Sequence, residues 1–61
     1  SDLAKRVLTV LDAQPYITDD TCIVVETSLE SDFSFIEETG FEIYREKDYR
    51  SQRHLFIRRR L

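Results

Sequence analysis

The stretch TCIVVETS (residues 21–28) decides how this chain folds. Cys22, Ile23, Val24 and Val25 form a continuous apolar run, mostly β-branched, that Glu26 cuts off. Runs of this length and composition are strands, and unbroken apolarity, in place of alternation, is the pattern of a strand covered on both faces. The whole chain has 61 residues. A chain this short buries only about 60% of the surface its unfolded form exposes, so it has little material with which to cover both sides of anything. No disulfide can help, because Cys22 is the only cysteine, and no Cys/His cluster offers a structural zinc site. The chain is therefore expected to be marginal alone, to self-associate, or to be a piece of a larger fold.

Working outward, Leu3, Val7, Val10 and Leu11, with Leu8 beside them, recur at helical spacing. They predict an amphipathic helix over 2–13, with Asp2 as its N-cap and Lys5 and Arg6 on its solvent side. Pro15 stops it, and Tyr16 and Ile17 are expected to anchor the following loop. After the strand at 21–26, a second helix fits 30–38, with Phe33, Ile36 and Phe35 inward. Gly40, the only glycine, falls where a helix C-terminus favours left-handed backbone. From Phe41 the period becomes two. A strand over 41–48 is predicted, with Phe41, Ile43, Arg45, Lys47 and Tyr49 on one face. DYRSQ (48–52) turns the chain, and a third strand over 53–60 carries Leu55 and Ile57 on one side and Phe56 on the other.

The fold class is thus α/β: helix, strand, helix, strand, strand. A crossover makes the first two strands parallel, and the last returns antiparallel to them. It can lie outside the second strand or between the two. Apolar side chains on both of its faces favour the inner slot, giving a three-stranded mixed sheet with the last strand antiparallel in the middle.

Charge is uneven. Residues 1–44 carry two basic and ten acidic side chains, and residues 45–61 carry seven basic and two acidic. A basic end marks a nucleic-acid surface or complements an acidic body. The paired acids Asp19-Asp20 and Glu37-Glu38 lack a partner acid, base or metal ligand and read as solvated charges. His54 reads as a cross-strand partner for a carboxylate, and Cys22 as a buried structural thiol. The single cysteine and the lack of a secretory segment suggest a reducing, cytoplasmic setting, and no apolar run approaches membrane-spanning length.

TCIVVETS followed by a short helix, then GFEIYREKDY (40–49), then LFIRRR (55–60), resembles the C-terminal end of bacterial 16S rRNA guanine-N2 methyltransferases of the RsmD type. Gly40 to Ile43 match a GFE-type segment, Arg45, Glu46, Lys47 and Tyr49 match its REKxY stretch, and Leu55, Phe56 and Arg58 match the last strand. The resemblance spans essentially the whole chain and includes no catalytic signature. The family has glycine after that tyrosine, where this chain has Arg50.

The resemblance implies the C-terminal portion of a Rossmann-type, S-adenosylmethionine-dependent fold, whose last strand lies antiparallel between the two before it. Strand 21–26 would then be a central strand whose earlier neighbours lie outside this sequence. The cofactor belongs to the parent protein. The Gly-rich turn that positions such a group is absent here, so no cofactor is expected to bind this chain alone. The family's (N/D)PPY loop precedes the first helix, whereas QPY (14–16) follows it and reads as a helix stop. The partner implied is rRNA or the small ribosomal subunit, with Lys47, Arg50, Arg53, Arg58, Arg59 and Arg60 as candidate phosphate contacts. The competing expectation is a self-standing α+β module that binds RNA or a protein.

Overall fold

A computed structural model describes residues 3–61. Helix α1 spans Leu3–Asp12, and strands β1, β2 and β3 span Ile23–Ser28, Phe41–Asp48 and Gln52–Arg59. The N-cap assigned to Asp2 lies outside the described residues. The sheet order is β1-β3-β2, so the last strand occupies the inner slot. Both of its pairings are antiparallel. The sheet is therefore antiparallel throughout and not mixed, because the two parallel strands never touch.

Two further expectations are corrected. The second helix is a short 3-10 segment, Ser34–Glu38, whose backbone bonds span three residues. The Asp32 carboxylate accepts from the Ser34 N–H at 2.9 Å and starts it late, so residues 30–33 never enter a helix. Gly40 has no positive φ. Its value is close approach. Its N–H donates to Asp12 Oδ2 at 3.0 Å, and a Cβ there would sit 2.7 Å from Asp12 Oδ1.

One face of the sheet is covered. Leu8, Ile17, Ile36, Phe41, Leu55 and Ile57 form the core, with Leu11, Ile23, Val25, Phe33, Phe35 and Ile43 packed against it. Nothing among the described residues covers the other face. β1 alternates between half-buried and exposed positions. Val24 is 54% exposed and Cys22 is exposed, so the apolar run is covered on one side only and Cys22 is not the buried thiol expected. Tyr16, read as an anchor, is also exposed, and of the two expected anchors only Ile17 is buried. Among the described residues no helix is long and apolar enough to cross a membrane.

Candidate nucleic-acid interface

The hairpin register decides where the basic side chains go. Ile43 pairs with Ile57, but Arg45, not Tyr44, pairs with Phe56. A β-bulge at Tyr44 inserts one residue and reverses the facing of everything after it. Arg45 and Lys47 therefore join Phe56 and His54 on the uncovered face, not Phe41 and Ile43 as strict alternation suggested. The clue was present: Phe41 and Ile43 are apolar and Arg45 and Lys47 basic at one parity, a change a bulge resolves.

The result is a strip of cations seated on rings. Arg45 lies over Phe56 at 5.4 Å, Arg58 over Tyr44 at 4.6 Å and Lys47 over Tyr49 at 5.5 Å. Tyr44 also faces Phe56, with centroids 6.4 Å apart, and Tyr49 faces His54 at 4.6 Å. Acids are sparse and engaged: Glu42 accepts from Arg58 Nε at 2.9 Å, and Glu26 pairs with His54 at 3.1 Å, the cross-strand partnership expected of that histidine. Cys22 Sγ lies 3.0 Å from the Tyr44 hydroxyl, a contact that, with desolvation, raises the phenol's pKa.

The six candidate phosphate contacts do not act as one cluster. Lys47 and Arg58 join the strip, and Arg50 sits exposed at the hairpin tip. Arg53 lies on the covered side, held by Asp48 through bonds of 2.6 and 3.1 Å. That bond holds the Asp48 carboxyl below its usual range. Arg59 is a clamp. It donates to the Ile17 carbonyl at 2.6 Å, to Asp12 Oδ1 at 2.7 Å and to the Asp12 carbonyl at 2.9 Å, tying β3 to the end of α1 and its loop. Arg60 donates to the carbonyls of Ile36 and Phe41. Arg45, Tyr44 and Tyr49 are the strip residues that the phosphate assignment missed. The turn after Tyr49 does not call for glycine, since no described non-glycine residue, Arg50 included, has positive φ.

The opposite border of the sheet is different in kind. β1 is an edge strand with no proline, lysine or bulge to blunt it. Beside it runs a groove of about 320 Å³ lined by Val7, Leu8 and Leu11 of α1 and by Ile23, Val24 and Val25. Only Leu8 of the α1 stripe is buried, while Val7 and Val10 are 48% and 60% exposed. The helix is turned so that half of its apolar face looks past β1 into solvent.

The residues present do not offer the Gly-rich strand-to-helix turn of an adenosylmethionine site: the single glycine lies in the turn from the 3-10 helix into β2 and is packed on Asp12. Comparison with protein-family profiles, curated proteins and solved structures finds no match.

Proposed function

We propose that this chain is the C-terminal, sheet-completing portion of an S-adenosylmethionine-dependent rRNA (guanine-N2) methyltransferase and is not catalytic alone. The observation that carries the reading is the border at β1. An unblunted edge strand, an exposed Val24 and an α1 stripe half out of the core together make a join that fits one more parallel strand and its covering helices. The order β1-β3-β2 with the last strand antiparallel in the slot agrees with the arrangement the sequence resemblance implies.

In such an enzyme the guanine exocyclic nitrogen attacks the cofactor's methyl carbon directly, and the protein contributes orientation and desolvation. This chain's share is to extend the sheet and to touch rRNA phosphates through Lys47, Arg50, Arg58 and Arg45, while Arg53, Arg59 and Arg60 hold the fold. The cytoplasm and the small ribosomal subunit are the setting and partner that follow.

The test is methyl transfer from labelled cofactor to 16S rRNA, naked and in small subunits. It uses the protein encoded by the whole reading frame that contains this segment, the same protein lacking residues 1–61, and the 61-residue chain alone. Label is expected in guanine N2 with the first only. Transfer by the short chain alone, or none by the whole protein, contradicts the reading.

A second reading, a self-standing RNA-binding module, is favoured by the cation-on-ring strip, which is formed within this chain. Binding without any methyl transfer by the longer protein would select it.

A further inference from the structure

We propose that the strip on β2 and β3 binds unpaired RNA, with bases stacked on Tyr44 and Tyr49 and phosphates held by Arg45, Lys47 and Arg58. The choice of RNA over other polyanions rests on the function proposed above; the preference for single strands comes from the surface itself. Phosphate contacts alone suit any duplex, but rings standing on an open sheet have no use for paired bases.

Tyr44 and Tyr49 are 41% and 46% exposed, yet each ring is held in place, by Phe56 and by His54. A ring fixed before binding loses little entropy on stacking. Five residues of strand separate the two tyrosines by roughly 16 Å, room for a few extended nucleotides. The cations alternate with the rings along that path, and a guanidinium seated on one ring still offers its other side to a base. Charge is complementary as well. The strip sets Arg45, Lys47 and Arg58 against Glu42 and Glu26, so it stays net positive on a chain of net charge −3, and a nucleic acid is drawn to this face and repelled by the acidic remainder. β2 is the border strand remote from β1, so the strip stays open even when further strands join at β1.

The test is fluorescence anisotropy of the 61-residue chain with a labelled 12-nucleotide mixed-sequence single-stranded RNA and with a duplex of the same sequence, over a salt series. The single strand is expected to bind at least tenfold tighter than the duplex, with log K falling against log salt at a slope of about −2 for three phosphate contacts. Tyr44→Leu and Tyr49→Leu are each expected to weaken binding by about 5- to 100-fold, the range of one lost base stack. Arg45→Gln is expected to reduce the slope by about 0.7, and Lys5→Gln on α1 to change nothing. Tyr49 lies beyond β2, so its variant reports on binding even if Tyr44→Leu fails to fold. Equal affinity for duplex, unchanged binding by Tyr49→Leu, or no binding at low salt overturns the proposal. No methyl donor is present, so this result and the methyl-transfer result stand or fall separately.

Discussion

The Asp12, Gly40 and Arg59 contacts tie the end of α1 to the start of β2 and the end of β3. The Gly40 N–H and then the Arg59 guanidinium hold the Asp12 carboxyl below its usual range. A carboxyl whose folded pKa is depressed stabilises the fold above its unfolded pKa, and that contribution is lost as pH falls through the folded value. Stability of the wild-type chain is therefore expected to drop on acidification below the ordinary carboxylate range. Asp12→Asn is expected to be less stable at neutral pH and flatter across that range, as followed by urea denaturation at successive pH values. Gly40→Ala places a Cβ against Asp12 Oδ1 and is expected to cost about 1–2 kcal/mol, seen as a lower urea midpoint with unchanged slope. The sequence placed Gly40 correctly after a helix but not for the right reason. A close approach between residues 28 positions apart leaves no local signature. His54 was legible because its partner strand was, whereas the engagement of Arg59 with backbone carbonyls depends on where a loop passes.

At the scale of elements, the apolar side chains on both faces of 55–57 favour the strand order that the sheet adopts. Leu55 and Ile57 are buried on one side, and Phe56 is half-buried on the other. Two things escaped it. The bulge at Tyr44 moved Arg45 and Lys47 across the sheet, and a period-of-two reading carries no term for an inserted residue. The run at 22–25 promised two covered faces and has one, since apolarity records what a strand is suited to and not what is beside it. Core and open face should answer mutation differently. Ile57→Val, at a fully buried site, is expected to cost about 0.5–1.5 kcal/mol. Val24→Thr, on the open face, is expected to stay within about 0.5 kcal/mol, both by chemical denaturation.

For the whole molecule, the two borders of the sheet have opposite characters. At β2 the surface is finished: cations sit on rings and acids are paired. At β1 it is raw, with an open edge and the outer half of an amphipathic helix exposed beside it. Helix amphipathicity was legible in the sequence; that only Leu8 of the stripe is fully buried was not, because an apolar stripe does not say how many partners it has. The claim that β1 is built to receive a neighbouring strand is tested most directly by amide hydrogen exchange on Ile23–Ser28. It is measured in the 61-residue chain at low concentration and in the protein from the whole reading frame. The alternate β1 amides that do not bond to β3 are expected to exchange almost as fast as unstructured chain in the first and to become strongly protected in the second. Outward β1 amides as slow as those of central β3 in the isolated chain, or no gain of protection in the longer protein, would contradict it.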